Sequence, residues 1–286
     1  MADQVWQGST NDWDTAGNWD NGPVLDSEDV FITGGSNQSI AGITLGAAGD
    51  ALGVVSVHED YTGDIGSTGD PVICVSGSLL YASRTGRLYW SSSGTMSSVT
   101  LRQSSGRSDA VYLDGGTITV LRIQNASGGV ILASGLTCTL LEMTNSPNCV
   151  VTVQSGVTLT TARVDGGGII DTSSAITTVH MSGPNSKLIR QAASQITTLN
   201  MYGGTGSCVV EDTASGTVPT LYATGPGALF DGRKNKNPAV VIGGTAGTVS
   251  NRARITLDNS MNSYTATLAS DGTAVISGGS NVAIVL

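Results

Sequence analysis

The chain has 286 residues, 39 of them glycine, with 12% charged and 5% aromatic residues, enough for one elongated domain or two compact ones. Its formal charge of −9 and isoelectric point of about 4.5 exclude the basic footprint that nucleic acid or an anionic membrane demands. No run of 18 apolar residues offers a membrane-spanning helix, and Val, Ile, Thr and Leu recur in short runs bounded by Gly, Ser, Asn and Asp, the pattern of an almost wholly β chain.

Residues 1–32 stand apart. Met1-Ala2-Asp3-Gln4 has neither a basic segment nor an apolar core, so no secretory signal is expected. Trp6, Trp13 and Trp19 then follow among turn residues. Two readings are open: a cap that covers the exposed end of a stack of strands, or an aromatic platform for saccharides. The turn-rich spacing favours the compact cap. Further on, Gly49-Asp50, Gly63-Asp64 and Gly69-Asp70 match neither a calcium nonapeptide repeat nor an EF-hand, and read as turns.

From Met96 the chain repeats itself. Copies begin at Met96, Ile118, Cys138, Leu159, Ile176, Ile196 and Val218, and the clearest neighbours read ITTVHM (Ile176 to Met181) and ITTLNM (Ile196 to Met201). A period near 20 with strand-like content marks a solenoid, whose repeats bury their apolar faces only against each other. The fourth position (Val99, Leu121, Leu141, Ala162, Val179, Leu199, Leu221) and the sixth (Leu101, Ile123, Met143, Val164, Met181, Met201, Ala223) are apolar throughout. Two apart on a strand is one face, so both point inward. The fifth (Thr100, Arg122, Glu142, Arg163, His180, Asn200, Tyr222) is polar and points out. Pro219 occupies the second position, otherwise Ser or Thr, which places a corner there.

A second strand in each repeat centres on Val111-Tyr112, Val130-Ile131, Val150-Val151, Ile169-Ile170, Leu188-Ile189, Val209-Val210 and Leu229-Phe230. Gly115-Gly116, Gly128-Gly129, Gly166 to Gly168 and Gly203-Gly204 supply corners with easy positive φ. The prediction is an all-β, single-chain parallel β-helix, right-handed as parallel crossovers are. It has about 20 residues per rung behind the Trp-rich N-terminal cap. Roughly 12 rungs from Val30 onward give a rod on the order of 60 Å. The organisation reads as a cap at 1–32, the β-helix at 33–238, and terminal rungs or a small β cap of looser register at 239–286.

The candidate chemistry is sparse. The column after each second-strand doublet reads Leu113, Leu132, Thr152, Asp171, Arg190, Glu211, Asp231. Glu211 and Asp231 on adjacent rungs, about 5 Å apart, have the separation of a retaining glycosidase pair. Against catalysis, Arg190 is expected to bridge Asp171 and Glu211 in an outward ladder, and Arg122, Glu142 and Arg163 repeat that alternation in the fifth column. His180 has no acid or nucleophile at a readable spacing. Cys74, Cys138, Cys149 and Cys208 form no CxxC pair and are expected as buried free thiols. Arg233-Lys234-Asn235-Lys236-Asn237 is the one cationic cluster, a solvated loop or a rim for an acidic partner. No catalytic, cofactor-binding or metal-binding residue is assigned.

The W-x-G...D-W...N-W...P...D-V pattern of Trp6 to Val30 resembles the start of β-helical proteins, both autotransporter-type passengers and bacteriophage structural proteins. Tyr61-Thr62-Gly63-Asp64-Ile65-Gly66, Leu79-Leu80-Tyr81 and Arg87-Leu88-Tyr89-Trp90 look more like phage virion proteins. That resemblance covers about the first 95 residues. It implies a non-enzymatic structural protein of a phage particle, made in the host cytoplasm and located in the virion. The expected role is capsid decoration (cement), with the major capsid protein or other virion proteins as partners and self-association, as a homotrimer, included. The alternatives are a tail fibre or tailspike component that binds or cleaves host polysaccharide, and a secreted β-helical adhesin.

Overall fold

A computed structural model of the chain describes residues 3–13, 15–22, 24, 28–41, 52–191 and 195–202, and the backbone alone of 44–45 and of the strands beyond residue 202. The one helical element among the described residues is the 3-10 turn Ala16–Asn18. The remainder is a parallel β-solenoid, with about seven stacked turns of close to 20 residues. Two compact units form, Met1–Leu141 with Asn148–Thr152 and Glu142–Pro147 with Val153–Leu286.

In the first unit, strands one turn apart pair in parallel and in register. Gln4–Val5 pairs with Val30–Ile32, which pairs with Val54–Val57, then Val72–Tyr81, then Leu88–Leu101. Leu88–Leu101 in turn pairs with Thr117–Gln124. The register extends the fourth column back through Leu79 and Val55 to Val30, and the sixth through Tyr81 and Val57 to Ile32. The ladder thus enters the Trp-rich segment. A further inward stack runs Ile40, Ile65, Leu88, Val111, Val130, and another runs Val72, Trp90, Leu113, Leu132. Every residue of these stacks is buried. Each full burial of such a side chain stabilises by about 1.5–3 kcal/mol.

In the second unit the same alternation continues. Thr158–Asp165 pairs with Ile176–Ser182 and that strand with Ile196–Tyr202. Beside them Gly168–Thr172 pairs with Ser186–Arg190 and that strand with Cys208–Asp212. Ala162, Val179 and Leu199 of the fourth column are buried, as are Val164, Met181 and Met201 of the sixth. Beyond Val240 the pairing stays parallel, with an irregular register between Val218–Thr224 and Val240–Ile242.

The corner at the second position is visible as a gap in the ladder. Met96 pairs with Ile118 and then Ser98 with Val120; Ile176 pairs with Ile196 and then Thr178 with Thr198. Ser97, Thr119, Thr177 and Thr197 are left out of the pairing and exposed. The chain bends there, so inward positions are one, four and six.

The next bend needs a left-handed residue, and Asn125 (φ 53°), Asn145 (47°), Gly166 (73°) and Gly183 (74°) supply it in four turns. These residue types carry the least penalty in that region. Gly115 and Gly116 also adopt positive φ (64° and 56°) as expected, whereas Gly128 and Gly129 do not. A Cβ on Gly129 would overlap the Ser108 carbonyl, so glycine serves close approach at that point.

One expected column is corrected by the register. Asp171 pairs with Ile189 and Thr172 with Arg190; Ile189 pairs with Glu211 and Arg190 with Asp212. Arg190 therefore does not bridge Asp171 and Glu211. It lies in the inward column with Leu188 and is fully buried. The connector causes the slip: Val164 to Ile170 is six positions, Leu101 to Val111 ten. In Leu188-Ile189 both residues are apolar, so hydrophobicity alone cannot say which faces in, and a one-residue slip exchanges the faces.

Candidate functional site

The N-terminal tryptophans form a closed cluster. Trp13 and Trp19 meet edge to face at 4.5 Å between centroids, Trp6 and Trp19 at 5.0 Å, and Trp6 stacks on Trp13 at 6.4 Å. The Trp19 indole N–H donates to the Trp13 carbonyl at 2.7 Å. All three rings are at most 5% exposed. An open saccharide platform needs free ring faces, so that expectation is overturned and the compact cap holds.

Three carboxylates of the first unit hold the backbone of a neighbouring turn. Asp29 accepts from the Val54 N–H at 2.8 Å, Asp60 from Gly34 at 2.9 Å and Asp64 from Arg87 at 2.8 Å, each about one turn away. The Gly34 N–H, and then the His58 side chain, hold the Asp60 carboxyl below its ordinary value of 3.8. At Gly69-Asp70 the expected turn is closed by reciprocal bonds between Ser67 and Asp70, 2.9 and 3.1 Å.

Outward polar contacts occur at the fifth position and at the residue after the sixth. In the second unit, Arg163 meets Glu142 at 3.5 Å, part of the expected fifth-column ladder. His180 pairs in register with Arg163 and Asn200, and its ring stacks on Tyr202 at 6.4 Å with 6° between planes. Burial, and then the Arg163 charge, push the His180 pKa below 6.5. Ser182 donates to Asp165 at 3.1 Å. The sequence-predicted carboxylates Glu211 and Asp231 are register neighbours. Their side chains, the Arg233–Asn237 cluster and Gly203-Gly204 lie outside the described residues.

In the first unit the residues after the sixth column border a cleft of about 290 Å³, which sequence reasoning missed. Val57, Tyr81 and Leu101 pair across three turns, and the next residues outward are His58, Ala82 and Arg102. Alanine between two long side chains leaves a notch one rung wide. Its floor includes Leu80; its walls are His58, Arg102 and the Arg84–Glu59 pair, bonded at 2.7 Å. Ser56 and Ser104 add hydroxyls. The Arg102 guanidinium bonds the neutral Gln124 amide oxygen at 3.1 and 3.3 Å. The signal for this site was Ala82 between His58 and Arg102 in one column, readable only once the repeat was extended N-terminal to Met96.

The described thiols are inert. Cys74, Cys138 and Cys149 are buried and free, and burial pushes the first up to about 11 and the other two to about 12. Thiolate is the reactive form, so none is held ready for nucleophilic work. Comparison with protein-family models, curated proteins and solved structures finds no match for this chain.

Proposed function

We propose that the chain is a non-enzymatic structural protein of a phage particle, a capsid decoration protein that stabilises the head by binding capsid subunits. The observation that carries this reading is the in-register parallel stack. It holds outward side chains at a fixed rung spacing and satisfies many of them against the neighbouring turn, as Arg163 with Glu142 and Arg84 with Glu59. A face so preformed loses little side-chain freedom on docking, and its charge pattern sets orientation on a partner. The resemblance of Trp6 to Val30 and of the segment from Tyr61 to Trp90 to phage virion proteins supports the same reading. The test is copurification: the protein is expected on purified heads in a fixed, symmetry-related copy number, and heads lacking it are expected to rupture at lower temperature. Its absence from purified particles refutes the proposal.

A further inference from the structure

The cleft between His58 and Arg102 has a composition that a purely mechanical role does not need. Its floor is apolar at Leu80 and shallow at Ala82, while hydroxyls, a carboxylate and guanidinium groups converge on its rim. Small-molecule sites combine an apolar lining with a few convergent polar groups. At about 290 Å³ the cleft sits at the lower end of ligand pockets, about 300–1,000 Å³, which suits a single ring rather than a chain segment.

The charge distribution narrows the ligand. Residues 1–83 contain no Lys or Arg, and twelve of the chain's 22 acidic residues. Arg84 is the first basic residue of the sequence, and it and Arg102 both stand on this rim. Arg84 is already paired with Glu59 and the Nε–Nη2 side of Arg102 bonds Gln124, so the cation left to an anion in the cleft is the remaining edge of the planar Arg102 guanidinium. Glu59 holds Arg84 through Oε2, and its other oxygen keeps acceptor capacity on the rim that hydroxyl donors on a ligand can meet. A linear acidic side chain would meet Arg102 but has no hydroxyl to donate to Glu59 or to the serines. A pyranose bearing a carboxylate meets all three demands: a C–H face for Leu80, hydroxyls for Glu59 and the serines, and an anion for Arg102.

We propose that this notch is a binding site for an acidic saccharide residue of the uronic acid class. The site does not depend on the capsid reading, and its test does not involve capsids. The full chain is titrated with sodium D-glucuronate, D-glucose and glutarate, with binding read by calorimetry and by saturation-transfer NMR. Glucuronate is expected to saturate, with glucose and glutarate each at least tenfold weaker. Ala82→Leu fills the notch and Arg102→Gln removes the planar cation. Each is expected to weaken glucuronate at least tenfold, with an unchanged circular dichroism spectrum. Failure of glucuronate to saturate overturns the proposal. So does glutarate binding as tightly, which makes the notch a plain carboxylate site such as a partner's acidic side chain fills. Unchanged binding by both variants overturns it as well, because the sugar then sits elsewhere.

Discussion

Substituting Gly168 tests whether the stack is as tight as its geometry states. Gly168 closes the Gly166–Gly168 bend at φ 128°, a region that residues with a Cβ avoid. A Cβ placed on it would overlap the Sδ of Met143 and stand 3.2 Å from the Ser146 carbonyl oxygen. Backbone strain of this kind is worth about 1–3 kcal/mol, and forcing a methyl into a filled core about 1–3 more. Gly168→Ala is therefore expected to destabilise by about 2–6 kcal/mol. Met143 is fully buried, so Met143→Ala alone is worth about 2–5 kcal/mol through its cavity. In the double variant the new methyl enters the space that the thioether vacated. The overlap disappears, while the strain at φ 128° and the close Ser146 oxygen remain. The two losses should fall short of additivity by about 1–3 kcal/mol. Urea unfolding followed by far-ultraviolet circular dichroism measures all four proteins. Additivity within about 0.5 kcal/mol would refute the reasoning, since it would mean that the Gly168 backbone and Met143 do not compete for one space.

Three further outcomes are expected. Ellman's reagent at pH 8 should leave Cys74, Cys138 and Cys149 unmodified in the native protein and label them in denaturant; rapid native labelling of any of the three contradicts their burial. Asp60 has a depressed folded pKa, so its contribution is present above the ordinary value of 3.8 and lost as pH falls through the folded value. Acid unfolding followed by tryptophan fluorescence should accordingly be less steep below pH 3.8 in Asp60→Asn, and an identical profile sinks the assignment. In an NMR titration His180 should change charge below pH 6.5. Arg163→Gln should raise that midpoint without restoring 6.5, because burial is the larger cause; no movement would remove Arg163 from the account.

The β-solenoid was legible in the sequence because identical side chains must stack at identical positions. Columns such as Leu121 and Leu141, or Met181 and Met201, therefore announce their common face. The corner at the second position was legible for a related reason, Pro219 being intolerable within a ladder. The second strand was less so. Connectors of six to ten residues let its register slide, and Leu188-Ile189 satisfies apolarity in either setting. Arg190 was thus placed on the wrong face, and a residue buried beside Thr172 was taken for a surface bridge. The notch escaped because its cause is the short methyl side chain of Ala82 between two long ones, which no motif advertises. The tryptophans were read as a compact, mutually packed cap from their turn-rich spacing, and their ring contacts bear that out.

The pairing of Gln4–Val5 with Val30–Ile32 has a consequence for how the molecule comes into being. This turn is synthesised before the strands that stack on it, and the Trp6, Trp13 and Trp19 cluster lies within it. Every later strand then finds a parallel edge already formed by the chain synthesised just before it. Each step joins residues only about 20 positions apart, so loop closure stays inexpensive however long the stack becomes. Growth has a direction set by synthesis itself, and the leading edge at any moment is the one the next segment is about to cover.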